Sequence, residues 1–122
     1  MSKKYKFKLI NDNCHAVGAK INGDQGYACK YADLVTHSYH PVKNITTGEG
    51  GSVLTNNTQF KKKIELFRNH GINRNELLNK QGQWIYEVKN FGFNFRLSDI
   101  HSALGISQLS KLDKFINKRT EI

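Results

Sequence analysis

Residues 34–55, LVTHSYHPVKNITTGEGGSVLT, carry the pattern that decides the fold. The compact, β-branched run Leu34–Ser38 predicts a buried strand, and Pro41 ends it because proline cannot donate a hydrogen bond to a neighbouring strand. The glycine-rich residues 46–51 predict a loop, and residues 52–55 predict another strand. The stretch therefore predicts two strands joined by a connection that contains Lys43.

The sequence before this stretch predicts a further strand. Tyr5, Phe7 and Leu9 alternate with lysines, and this period of two predicts a strand that ends near Asn11. Residues 21–24 include an Asn-Gly pair, which tolerates positive φ and predicts a short strand entering a tight turn.

The sequence after the stretch predicts helices. Asn57 can cap a helix with apolar residues at helical spacing, and Gly71 can end that helix. From Ser98 onward the same spacing predicts one or two helices, broken at Gly105. Residues 72–93 predict a loop anchored by three buried aromatic residues, Trp84, Tyr86 and Phe91. Strands that alternate with helical stretches indicate an α/β fold.

Length and composition fit one globular domain. The chain has 122 residues, of which 38% are apolar, 46% when its 10 glycines are included, and 24% are charged; the last two shares are close to the usual values for soluble domains. The sequence contains no apolar run of membrane-spanning length and no apolar segment behind its first charges. We therefore expect a cytoplasmic protein with no membrane partner.

The net charge of +9 is typical of a second class of protein, the basic nucleic-acid-binding domains. The 19 cations are mostly lysines, however, and they are dispersed over the whole length rather than concentrated in one segment. We expect no nucleic-acid partner. Cys14 and Cys29 have no zinc-ligand spacing, and neither do the histidines, so we expect free thiols and no metal site.

Three chemically different side chains are predicted near one edge of the sheet. Asp12 follows the first predicted strand, Ser38 ends the second, and Lys43 comes five residues later. Ligands of open α/β sheets bind beyond the carboxyl ends of the strands. An acid, a hydroxyl and an amine suit pyridoxal phosphate, which is cationic, phosphorylated and an aldehyde. Taken alone, such residues are more often a turn acid and a solvated lysine.

Three motifs, in order, resemble those of the DegT/DnrJ/StrS family of sugar aminotransferases. Residues 12–19, DNCHAVGA, are similar to EDxxHAxGA, residues 38–51 to SFHPxKxxTTGEGG, and residues 92–99, GFNFRLSD, to GYNYRLTD. Asn11 and Phe95 depart from the family's usual Glu and Tyr. The HPVK and TTGEGG segments are most similar to those of aminotransferases that place an amine at C4 of UDP-linked dideoxy sugars.

The resemblance implies an α/β fold that is the central part of the large domain of a type I pyridoxal-phosphate-dependent aminotransferase. Residues 1–122 would be a partial cofactor-binding domain, incomplete on its own. The parent enzyme would transfer an amino group from glutamate to a nucleotide-linked keto-sugar for surface polysaccharide synthesis. The alternative is a non-catalytic remnant or partner-binding domain that retains the motifs, and the isolated chain is expected to be inactive.

The resemblance also implies a role for five residues. Lys43 would bond to the cofactor's aldehyde as a Schiff base and later move the proton between sugar and cofactor. Asp12 would keep the pyridine nitrogen protonated, and His15 would lie near the 3-hydroxyl. Ser38 would bind the phosphate, and Asn94 would reach the phosphate from the second subunit of a homodimer.

Overall fold

The chain forms two compact units in this computed structural model, which describes residues 1–73 and 86–122. The first unit combines Met1–Asn56 with Leu97–Ile122, and the second is Asn57–Arg96. Both helices and strands are present, which agrees with the predicted α/β class. Trp84, predicted to be a buried anchor, lies outside the described residues.

A three-stranded sheet lies at the centre of the first unit. Its strands, in spatial order, are β1 (Ile10–Asp12), β2 (Leu34–Ser38) and β3 (Gly51–Leu54). β1 runs parallel to β2, with Asp12 opposite Thr36, and β3 runs antiparallel, with Gly51 opposite Ser38. Because β1 and β2 are parallel, their carboxyl ends meet at one edge of the sheet.

The first predicted strand is displaced along the chain. Ser2–Tyr5 form a short helix, α1, which ends at Lys6 with a φ of 53°. Strand pairing begins only at Ile10, opposite Leu34, where a neighbouring strand is available. The prediction of a strand over Tyr5, Phe7 and Leu9 is therefore wrong, because a segment of alternating apolar and polar residues forms a strand only where a neighbouring strand can pair with it.

The connection from β1 to β2 contains the predicted tight turn. Ile21 and Asp24 exchange main-chain hydrogen bonds, each 3.0 Å long, and Asn22 and Gly23 take φ values of 51° and 81° between them. A short 3₁₀ helix, Tyr27–Lys30, follows. The apolar residues buried in the first unit form its core: Val17, Ala28, Val35 and Ile45.

Two helices, α3 (Asp99–Leu109) and α4 (Leu112–Glu121), complete the first unit. The predicted break at Gly105 is wrong, since the chain breaks between the helices at residues 110–111. Gly105 instead allows close packing, because a Cβ there would lie 2.8 Å from Thr47 Cγ2. No helix in the described part of the chain is long and apolar enough to span a membrane.

The second unit begins with helix α2 (Thr58–Arg68). Asn57 caps it as predicted, because its Oδ1 accepts hydrogen bonds from the main-chain N–H groups of Gln59 and Phe60. The helix ends at Arg68, and the Gly71 N–H then donates to the Leu66 carbonyl at 2.8 Å, a bond typical of helix ends.

A short antiparallel pair, β4 (Ile72–Asn73) and β5 (Glu87–Val88), follows in the second unit. Tyr86 and Phe91 are 57% and 75% exposed, so the prediction that they are buried anchors is wrong. The aromatic contacts centre on Phe93, whose ring lies 5.1 Å from Phe67, 4.8 Å from Phe95 and 4.9 Å from the exposed Phe91. Which aromatic residues pack depends on strand pairing that sequence spacing does not reveal.

Candidate functional site

Asp12 is the last residue of β1 and stands at the carboxyl edge of the sheet. Beyond it the chain stays beside β2, because the N–H of the buried Asn13 donates to the Thr36 carbonyl at 2.9 Å. The Cys14 N–H then turns back and donates to Asp12 Oδ1 at 3.0 Å. These bonds fix the carboxylate at the end of the strand while leaving it exposed.

The surroundings of Asp12 favour its ionised form. Hydrogen bonds from the Cys14 side chain and main chain lower the pKa of the Asp12 carboxyl, and electrostatic interactions with Lys43 and His15 lower it further. The same Cys14–Asp12 hydrogen bond, together with burial, raises the pKa of the Cys14 thiol. The site therefore holds a carboxylate beside a neutral thiol.

His15 and Lys43 meet although 28 residues separate them in the sequence. Lys43 Nζ lies 2.6 Å from His15 Nε2, and the imidazole is exposed rather than part of the core. The Lys43 main-chain N–H donates to the His40 carbonyl at 3.0 Å, which closes a turn around Pro41. The turn directs the amine toward the segment that follows β1.

Ser38 ends β2 at the same edge of the sheet as Asp12. Its Oγ accepts a hydrogen bond from the His40 N–H at 3.3 Å, and within the described residues no hydrogen bond joins it to Asp12, His15 or Lys43. The structure thus brings Asp12, His15 and Lys43 into one group, with Ser38 on the same edge.

The loop after Lys43 is held by residues that the sequence reasoning did not single out. Asn44 Nδ2 donates to the Val17 carbonyl at 2.8 Å, which ties this loop to the segment that carries His15. Thr46 Oγ1 donates to the Tyr39 carbonyl and accepts from the Gly48 N–H, each at 2.9 Å. Their position inside the motif of residues 38–51 is the signal that could have identified them.

Asn94 lies in the second unit, where it forms an isolated antiparallel bridge with Asn69. The side chain of Asn69 also accepts a hydrogen bond from Arg96 Nη1 at 2.8 Å. Arg68, His70 and Arg96 line a polar cleft within this unit. The role predicted for Asn94 at the phosphate stays a prediction.

A carboxylate, an imidazole and an amine at the carboxyl edge of parallel strands form an arrangement suited to binding a cofactor in an α/β enzyme. The chain belongs to the DegT/DnrJ/EryC1/StrS aminotransferase family, whose profile matches residues 1–122. This membership confirms the resemblance that the three sequence motifs indicated.

Individual relatives agree with the family assignment. The UDP-4-amino-4,6-dideoxy-N-acetyl-beta-L-altrosamine transaminase of Campylobacter jejuni (strain 81-176) is 45% identical over 122 residues, which are the whole of this chain and 30% of that protein. The chain thus spans about a third of the length of such relatives.

Solved structures show the same fold. PseC of Helicobacter pylori, an aminotransferase involved in the biosynthesis of pseudoaminic acid, superposes with a TM-score of 0.83 at 37% identity. The match covers 98% of this chain and 30% of PseC. The PMP-form of Spr1654 from Streptococcus pneumoniae, a sugar aminotransferase by its description, gives a TM-score of 0.81 at 28% identity, covering 98% of this chain and 32% of Spr1654.

Proposed function

We propose that residues 1–122 form part of the pyridoxal-phosphate-binding large domain of an aminotransferase. The whole enzyme would transfer an amino group from glutamate to a nucleotide-linked keto-sugar, for the synthesis of surface polysaccharide precursors. The observation that carries the proposal is the meeting of Asp12, His15 and Lys43 at one sheet edge, in a chain 45% identical to a UDP-sugar transaminase.

The side chains present fit the chemistry of this cofactor. A protonated pyridine nitrogen needs an ionised carboxylate, and the lowered pKa of Asp12 favours that ionised form. An aldehyde needs an amine, which Lys43 supplies, and a phosphate needs hydroxyl and N–H donors, which Ser38 and the loop after it can provide. When bound, the cofactor supplies a carbonyl for bonding to amines and a ring that withdraws electrons.

Each residue of the group has a distinct part in the proposed reaction. The Asp12 carboxylate would accept a charge-assisted hydrogen bond from the protonated pyridine nitrogen and stabilise its positive charge. Lys43 would hold the cofactor through its amine and, when that amine is free, would move a proton between the sugar and the cofactor. His15 stands beside Lys43 and would contact the 3-hydroxyl.

The phosphate would be held by groups from two subunits. Ser38 would donate its hydroxyl, and Asn94 would donate its amide from the second subunit of a homodimer. An enzyme built this way has a complete site only when two chains associate. Dimer formation is therefore part of the proposal, together with the nucleotide-sugar and amino-donor substrates.

Covalent trapping tests the proposal directly. We would incubate the chain with pyridoxal phosphate, reduce it with borohydride and locate the label by peptide mass mapping. Label should accumulate on Lys43 in preference to the other lysines, and Asp12→Asn should weaken retention of the cofactor. Surface lysines also react with aldehydes, so selectivity among lysines is the informative measurement.

Two lysine variants serve as controls. Lys43→Ala should abolish the selective label, whereas Lys20→Ala, at an exposed lysine of the same unit, should preserve it. An even spread of label over all lysines in the unaltered chain would instead favour the non-catalytic, partner-binding alternative.

A further inference from the structure

The hydrogen bond between Lys43 Nζ and His15 Nε2 constrains where the protons reside. A lysine ammonium has three donors and no acceptor, so the imidazole nitrogen it meets at 2.6 Å must hold a lone pair. Nε2 can accept this bond only in the tautomer that carries its hydrogen on Nδ1. If both groups were protonated, donor would face donor and two positive charges would repel.

The groups around this pair allow His15 to gain a proton. Asp12 at the end of β1 interacts favourably with the Lys43 ammonium, and it would interact favourably with a protonated His15 as well. Cys14 is kept as a thiol by its hydrogen bond to Asp12, and the Arg119 side chain of α4 hydrogen-bonds to the main-chain carbonyl of Lys43. A carboxylate therefore faces the pair and would stabilise an imidazolium.

We infer that His15 is the base that takes a proton from the Lys43 ammonium and so prepares the amine to react with an aldehyde. The inference rests on the proposed function, which identifies that aldehyde as the cofactor's. In the overall condensation Nζ bonds to the carbonyl carbon, and the carbonyl oxygen leaves as water with two protons that the ammonium gives up. His15 relays one of these protons from Nζ to the oxygen and ends unchanged.

Two variants separate a base from a residue that only positions the amine. The amide oxygen of His15→Gln accepts a hydrogen bond but takes up no proton, and His15→Phe does neither. His101→Gln is the matched control, because His101 lies in the same unit and bonds to Ser98. Circular dichroism checks that each variant folds. If His15→Phe does not fold, the labelling rates of His15→Gln alone test the inference.

Labelling rates at each lysine provide the measurement. One series uses pyridoxal phosphate with borohydride quenching over time, and a second uses trace acetic anhydride without cofactor, both across pH 6–9. We expect the Lys43 rate to fall about 10²-fold in both His15 variants, as for loss of a general base. The other lysines, and the His101→Gln variant, should keep their wild-type rates.

The two series separate this inference from the proposed function. A drop in Lys43 acetylation in both variants supports the role of His15 as a base, whatever the outcome with pyridoxal phosphate. Even labelling of all lysines by pyridoxal phosphate would contradict the proposed function but not the role of His15. A wild-type Lys43 rate and pH profile in His15→Gln would overturn the inference.

Discussion

The Arg119 guanidinium donates a hydrogen bond from Nη2 to the main-chain carbonyl of Lys43 at 3.1 Å, which joins α4 to the Lys43 turn. The N–H of Lys43 is also engaged, by the His40 carbonyl at 3.0 Å. Both main-chain groups of Lys43 are therefore hydrogen-bonded, which holds its backbone in the turn. Helix α4 thus supports the candidate site without providing a reactive group.

Arg119→Ala tests this support. We expect the free energy of unfolding to fall by about 1 kcal/mol, since the Lys43 carbonyl loses a charge-assisted partner at an exposed site. Lys43 should also lose part of its labelling selectivity. Urea unfolding and lysine mass mapping measure the two effects. The control is Lys118→Ala, which removes only the exposed ion pair with Glu121 and should change little; identical behaviour of the two variants would contradict the supporting role.

The stability of the fold should decrease in acid because of Asp12. Its pKa lies below the ordinary carboxyl value of about 3.9, chiefly because of the hydrogen bonds from Cys14 and then because of electrostatic interactions with Lys43 and His15. A carboxyl with a lowered folded pKa contributes stability above its unfolded value, and that contribution is lost as the pH falls through the folded value.

Asp12→Asn should therefore flatten part of the acid dependence, measured by urea unfolding between pH 2.5 and pH 7. An unchanged pH profile in Asp12→Asn would show that this carboxyl does not couple folding to pH.

Gly51 is required by the close approach of β3 to β2. A Cβ at this position would lie 2.6 Å from the main-chain oxygen of His37, so one strand would have to move. We expect Gly51→Ala to cost about 1–3 kcal/mol of unfolding free energy. Gly26→Ala, whose Cβ would meet Asp24 Oδ1 at 3.4 Å, should change it by less than about 0.5 kcal/mol. Thermal unfolding of both variants makes the comparison, and equal stabilities would refute the packing argument.

The cap of α2 gives a prediction for the second unit. Asn57→Ala leaves the N–H groups of Gln59 and Phe60 without their side-chain acceptor, at an expected cost of about 1 kcal/mol. Asn57→Asp retains the acceptor and should unfold within about 0.5 kcal/mol of the unaltered chain. Chemical denaturation followed by circular dichroism measures both, and an equal loss in the two variants would mean that the cap is not responsible.

Local rules predicted the elements that depend on few neighbours. The strand Leu34–Ser38, the turn at Asn22-Gly23 and the cap at Asn57 each follow from residues close in sequence. The predictions of a strand over residues 5–9 and of a break at Gly105 are wrong because the structure at both places depends on residues that are distant in the sequence. Ile10 has Leu34 as a partner, and Gly105 packs against Thr47.

The candidate site was predictable to a similar extent. Strand ends and motif resemblance identified Asp12, Ser38 and Lys43, since the carboxyl edge of a parallel pair gathers such residues. The 2.6 Å contact of His15 with Lys43 depends on the path of two loops, which Asn44 joins by its bond to Val17. Spacing in the sequence does not encode that path.

The exposed site gives the last prediction, which concerns activity. Asp12 and His15 are both exposed, so water reaches the groups that would act on the sugar. Holding substrate at reacting distance and excluding water can account for about 7–11 kcal/mol of a barrier. We therefore expect the 122-residue polypeptide alone to show no glutamate-dependent transamination of UDP-linked keto-sugars, even if it binds pyridoxal phosphate at Lys43.

Exposed apolar surface on the first unit predicts that the polypeptide associates with itself. Ile100 and Ile106 of α3 are 81% and 73% exposed, and Val53 of β3 is 44% exposed, a surface that favours association. Size-exclusion chromatography of the polypeptide should show self-association, and the double variant Ile100→Lys with Ile106→Lys should reduce it.

Turnover is measured by a coupled assay for 2-oxoglutarate release. The assay should detect turnover only when the rest of the Campylobacter jejuni relative, which this chain matches over 30% of its length, is supplied in trans. Robust turnover by the polypeptide alone would show instead that Asp12, His15 and Lys43 suffice for catalysis in open solvent.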